Sequence, residues 1–124
     1  MTERQAPGRE PVGGWATERR VAEKEAGGHP RHALAPLLTA PVRLSVMAAL
    51  VAAEKAEFAF VRDLVEISDS VLSKQLAALE EAGWLEVRKV RAGRRVRTWV
   101  SLTGEGREAY ARHLAALRAI TGGG

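Results

Sequence analysis

Residues 68–102, SDSVLSKQLAALEEAGWLEVRKVRAGRRVRTWVSL, change their hydrophobic period partway along. Up to Gly83, Leu72, Leu76, Leu79 and Ala82 recur at helical spacing. Ser68, Asp69 and Ser70 cluster just before them, and short side chains of these types accept from the free N–H groups of a first turn, so at least one of the three is a cap. Gly83 suits the left-handed position that stops such a helix. Beyond it the period falls towards two. Trp84–Arg88 reads as a strand, Ala92-Gly93-Arg94 as a turn and Val96–Leu102 as the returning strand. In the return, Val96, Thr98, Val100 and Leu102 share one face, and Arg97, Trp99 and Ser101 the other.

Working outward, residues 61–67 place Val61, Leu64 and Val65 on one side of a short helix, with residues 57–60 as a brief extended segment before it. Pro41 opens a helix to about Ala53, where its missing N–H is harmless, with Val42, Val46, Ala49 and Leu50 in one stripe. Residues 32–38 carry Leu34, Leu37 and Leu38 at helical spacing. Downstream, Thr103 is an N-cap candidate for a final helix, with Glu105 in the first turn where the helix dipole favours an acid. Ala109, Tyr110, His113, Leu114, Leu117 and Ile120 form its apolar side. The order is helix, helix, short strand, helix, helix, hairpin, helix.

Two short helices joined by a polar turn are a helix-turn-helix, and a hairpin directly after the second makes it winged. The class is mainly α (α+β), a winged helix-turn-helix with a two- to three-stranded β-wing. Residues 41–110 resemble the small bacterial winged helix-turn-helix transcriptional regulators of the MarR/ArsR type. The likeness rests on Pro41-Val42-Arg43-Leu44, on Ser70-x-Leu72-Ser73-x-x-Leu76-x-x-Leu79-Glu80-x-Ala82-Gly83, and on Leu102-Thr103-x-x-Gly106, and it extends over about 33–120. It implies a homodimer and a regulator of transcription.

The residues make their own case for DNA. Between Val87 and Arg97 stand Arg88, Lys89, Arg91, Arg94, Arg95 and Arg97 with no acid. Such a ribbon repels itself unless phosphates neutralise it, and guanidinium forks suit phosphate or an adjacent minor groove. The plainer reading is a solvated hairpin kept soluble by charge. The 70–82 helix offers Ser70, Ser73, Lys74 and Gln75 near its start, donors for phosphates and base edges, while Ala77 and Ala78 are small enough to let it sit deep in a groove. Glu80 and Glu81, at its far end, fall off the duplex. Leu34, Leu37, Leu38, Tyr110, Leu114, Leu117 and Ile120 are assigned to dimerisation, because so small a protomer has little left to cover the last helix. Recognition helices one DNA turn apart, about 34 Å, then call for an inverted-repeat operator.

Composition sets the outer bounds. The chain has 124 residues, enough for one domain, and no cysteine, which excludes thiolate metal sites, disulfides and cysteine nucleophiles. A net charge of +4 matters less than its clustering in the hairpin. Uncharged runs such as 44–53 are too short to span a bilayer, so the expected location is cytoplasmic. Residues 1–31 carry five glycines, three prolines and few large apolar side chains, and read as a flexible arm, with a short helix possible over 15–26; the domain is 32–121 and 122–124 a frayed end. No phosphate loop, H-E-x-x-H or G-x-S-x-G occurs, so no enzyme, metal or cofactor is expected. His113, alone on the last helix, is read as packing or capping. Trp84 is read as core or hairpin packing, and Trp99 either stacks between the wing arginines or packs on its strand face. The alternative function is a winged-helix module meeting an acidic protein partner. An apolar effector is compatible with a dimer cleft but demanded by no residue pattern.

Overall fold

A capped helix leading straight into a hairpin dominates the computed structural model, which describes residues 28–122. These divide into two units, residues 34–115 and a smaller one whose described parts are 28–33 and 116–122. The elements are α1 (Pro41–Val51), β1 (Ala56–Glu57), α2 (Phe58–Val65), α3 (Asp69–Glu81), β2 (Leu85–Ala92), β3 (Arg95–Leu102) and α4 (Gly104–Thr121). The strands form one antiparallel sheet in the order β1-β3-β2. This is the winged helix-turn-helix expected from the hydrophobic period. The expected arm over 1–31, apart from 28–31, lies outside the described residues, as do the helix over 15–26 and positions 123–124.

Local hydrogen bonds account for where α3 begins and ends. Ser68 is the cap, its Oγ accepting from the Val71 N–H at 3.2 Å. At the other end, the Trp84 N–H donates to the Leu79 carbonyl at 3.0 Å and the Gly83 N–H to that of Glu80 at 2.9 Å. That pair of bonds needs a left-handed residue between them, and Gly83 has φ 82°. α4 starts where Thr103 Oγ1 accepts from the Gly106 N–H at 3.0 Å, while the same hydroxyl donates to the Gly83 carbonyl at 2.7 Å. The Thr103 N–H donates to the Trp84 carbonyl at 3.0 Å. Gly106 lies so close to this crossing that an added Cβ would sit 2.8 Å from the Trp84 carbonyl carbon. The end of α3, the root of the hairpin and the start of α4 are thereby bonded together.

The core of the larger unit gathers Leu38, Val46, Met47, Leu50, Val61, Leu72, Leu76, Leu79, Leu85, Val100 and Leu102. Burying each such side chain contributes about 1.5–3 kcal/mol, which seats α3 by its leucine stripe and leaves its opposite arc outward. Buried His113 accepts the Ala35 N–H at Nδ1, 3.0 Å away, and burial pushes its pKa below the usual histidine value.

Four local expectations are corrected. Residues 32–38 do not form one helix; they lie in two 3-10 turns, Pro30–Ala33 and Pro36–Leu38, because Pro36 has no N–H to carry a helical ladder through. The extended segment stops at Glu57, since only Ala56 and Glu57 find partners on β3, opposite Val100 and Trp99, and Phe58 already opens α2. Leu64 points out, 57% exposed, because the core covers the arc of Phe58, Val61 and Val65 instead. Leu38, assigned to a dimer face, is fully buried in the protomer's own core.

Candidate nucleic-acid interface

α3 turns about 100° per residue, so with Leu72, Leu76 and Leu79 buried, Ser70, Ser73, Lys74 and Ala77 fall on the outward arc, and all four are exposed. Small hydroxyls, one ammonium and a methyl on this arc suit close approach to a duplex. Gln75 is not among them. It is half-buried on the α1 flank, where its Oε1 accepts from Arg43 Nε at 2.8 Å. Gln75, expected to contact DNA, thus lies off the outward arc with its Oε1 committed to an intramolecular bond, and neither member of that bond was distinguishable by local spacing.

The hairpin supplies the second wall. Leu85 and Val87 on β2 face Leu102 and Val100 on β3, which plants the root of the hairpin in the core. Further out the side chains are cationic. Arg88, Lys89, Arg91, Arg94, Arg95 and Arg97 are all exposed, and residues 88–97 have no buried member. Between this ribbon and α3 lies an open groove of about 880 Å³, whose lining includes Ser73, Ala77, Lys89, Arg95 and Arg97. Ser73 is thus brought together with three of the six hairpin cations. Ser70, Lys74, Arg88, Arg91 and Arg94 are exposed but do not line the groove.

Intramolecular carboxylates occupy few of these cations. Arg97 Nη1 lies 3.3 Å from Glu57 Oε1, and Arg88 Nη2 is 4.0 Å from Glu86 Oε1 with both side chains largely in water. Exposed pairs of this kind are worth about 0–1 kcal/mol. Among the described residues, no carboxylate comes within 4.0 Å of Lys89, Arg91, Arg94 or Arg95. Four cations on a short ribbon therefore keep their fields directed at solvent, where a phosphate chain can meet them. Trp99 takes its cation from outside the ribbon, with Lys55 Nζ 5.1 Å from the ring centroid. Stacking between wing arginines is not its arrangement.

Three acids also border the groove, Glu57, Asp69 and Glu80, so its cationic side is the hairpin. Glu80, expected to fall off the duplex, lines this groove from the far end of α3. Arg62, unnoticed in the sequence, bridges Asp63 and Asp69 at 2.9 Å each and ties α2 to the first turn of α3. Hydrogen bonding to Asp63 first, then Asp69, raises the Arg62 pKa further, and the same contact holds Asp63 below the usual carboxylate value.

Of the residues assigned to dimerisation, Leu34, Leu37, Tyr110, Leu114 and Leu117 are half-buried and Ile120 is 40% exposed. Among the described residues no helix is long and apolar enough to cross a membrane, and no group of three or more His, Asp or Glu could hold a metal ion.

Comparison with known proteins agrees with the geometry. A family model described as a winged helix DNA-binding domain matches residues 42–121. The solved structure of a transcriptional regulator homologue from Pyrococcus horikoshii is similar, with TM-score 0.66 and 33% identity, covering 70% of this chain and 86% of that one. An uncharacterized protein of Methanocaldococcus jannaschii is 32% identical over 73 residues, 59% of this chain and 79% of that protein. A zinc-responsive MarR family member from Lactococcus lactis shares the fold at TM-score 0.51 and 22% identity, covering 66% of this chain and 56% of its own.

Proposed function

The chain belongs to the winged helix DNA-binding domain family, and from that membership we propose that it is a sequence-specific transcription regulator, a repressor acting as a homodimer on an inverted-repeat operator. The observation that carries this reading is the groove shared by α3 and the hairpin, with Ser73 and Ala77 on one wall and Lys89, Arg95 and Arg97 on the other. In this reading α3 enters the major groove with Ser70, Ser73 and Lys74 towards the duplex. The cations Arg88, Lys89, Arg91, Arg94, Arg95 and Arg97 engage the flanking backbone or the adjacent minor groove.

Division of labour follows from chemistry. Hairpin cations meet phosphates, which are the same in every sequence, and so set affinity and its salt dependence. Hydroxyls and Lys74 on α3 meet base edges and set preference, each good pair contributing about 1–3 kcal/mol. The homodimer forms through α4, whose half-buried Leu114 and Leu117 and exposed Ile120 pair with a second copy, joined by Leu34, Leu37 and Tyr110. A cytoplasmic location is part of the same proposal, in keeping with a DNA ligand and with the lack of a membrane-crossing helix among the described residues.

Selection of bound duplexes from a random pool tests the reading. Enrichment of two half-sites about one helical turn apart, together with a dimer in sedimentation, supports it. Binding of every duplex with equal affinity, or a monomer on a single half-site, refutes the operator or the dimer respectively.

A further inference from the structure

α3 is seated by one leucine stripe, with its last turn bonded to the hairpin root and α4, and the turns before that can still roll about the helix axis. Its side-chain ends lie about 6 Å from that axis, so a roll of about 20° carries them about 2 Å, enough to break a hydrogen bond to a base edge. Whatever prevents the roll decides what the outward arc can read. The structure shows one tie on each flank. Asp69 is held by Arg62 of α2, in an exposed pair 2.9 Å long, and Gln75 is held by Arg43 of α1 at 2.8 Å in a partly buried one. The two residues are about 240° apart in helical rotation, one on either side of the leucine stripe.

The Arg43 tie is built more firmly. Its Nη1 also donates to the Leu37 carbonyl at 2.9 Å, so one planar guanidinium spans α1, α3 and the 36–38 turn. That turn is itself fixed, since the adjoining Ala35 N–H is bonded to His113 in the core. Arg43 gains little for its own helix. It stands third in α1, in a first turn without an acid, where the dipole disfavours a cation. Among the described residues it has no carboxylate within 4.0 Å. A half-buried cation satisfied by two neutral oxygens in a planar fork is a device for geometry.

Resting on the DNA-binding reading above, we propose that Arg43 is a positioning residue for recognition, fixing the roll of α3 through Gln75 so that Ser70, Ser73 and Lys74 meet the bases in register. Gln75 then acts through Arg43 and does not read a base.

The test measures dissociation constants for the selected operator and for a random duplex with Arg43→Ala, Gln75→Ala, the double variant and Gln75→Glu. The ratio of random to operator constants should fall about tenfold in each alanine variant, and no further in the double, while random-duplex binding stays within about twofold. Gln75→Glu keeps a stronger, charge-assisted partner for Arg43 and should retain the ratio. Residual dipolar couplings on the α3 amides, taken without DNA, should show a changed orientation relative to α1 in both alanine variants. If Arg43→Ala does not fold, Gln75→Ala removes the same bond and carries both measurements. Additive losses, a loss for Gln75→Ala alone, or an unmoved α3 would overturn Arg43's role. A wild type that bound no duplex would refute the regulator reading and with it any part for Arg43 in recognition, whereas an unmoved α3 refutes Arg43 alone.

Discussion

Arg95→Ala and Arg97→Ala should change the salt dependence of DNA binding unequally, although the residues stand two apart on one strand. Arg97 is 3.3 Å from Glu57, and among the described residues no carboxylate lies within 4.0 Å of Arg95. Each phosphate neutralised contributes about −0.9 to the slope of log K against log salt, equivalent to about 3.5-fold over a fourfold rise in salt. Arg95→Ala should therefore flatten the slope by about 0.9. Arg97 brings less net charge to the phosphates for as long as Glu57 holds it, so its removal should flatten the slope by less than about half that amount. Glu57→Gln should free Arg97 and steepen the slope, and Arg97→Ala made in that background should then match Arg95→Ala. Fluorescence anisotropy with a labelled random duplex, between about 50 and 200 mM salt, reads all five slopes, wild type included. Equal flattening by the two single arginine variants, with Glu57→Gln silent, would refute the reasoning, because the ion pair would then not compete with DNA at all.

Three further outcomes concern the scaffold. Gly106→Ala drives a methyl into the Trp84 backbone, which has no rotamer to yield, and should destabilise the fold by about 3 kcal/mol or more in urea denaturation. Ser68→Ala removes the α3 cap and should cost about 1 kcal/mol in the same assay, with Ser70→Ala, 3.2 Å away and not the cap, costing less. Burial lowers the His113 pKa below the 6.5 of an unfolded histidine, so between the two values the unfolded chain binds more protons. Its contribution is complete above about pH 6.5 and is lost as pH falls from there through the lowered pKa. Melting temperature should accordingly drop below pH 6.5 in wild type, and more weakly in His113→Gln.

Legibility followed the range of the interaction. The caps of α3 and α4, the stop at Gly83 and the hairpin turn join residues within a few positions, so residue type alone marks them, although only the fold singles out Ser68 from Asp69 and Ser70 as the α3 cap. The cationic ribbon was equally plain, since like charges crowded into ten residues with no acid among them need no partner to be seen. Glu57 on Arg97, Lys55 on Trp99 and Arg62 on Asp69 were hidden, because each acid or base is unremarkable until the chain brings it alongside.

By itself the sequence determined the order of elements from α1 onward, the leucine stripe that buries one side of α3, and the place where positive charge accumulates. These are properties of spacing, and spacing is written along the chain. Tertiary structure alone decided that Leu38 belongs to the core, that Ala56 and Glu57 complete the sheet, and that Gln75 is bonded to Arg43, 32 positions away. The physical reason is that a helix fixes which residues share a face, but only its packed neighbours fix where that face points.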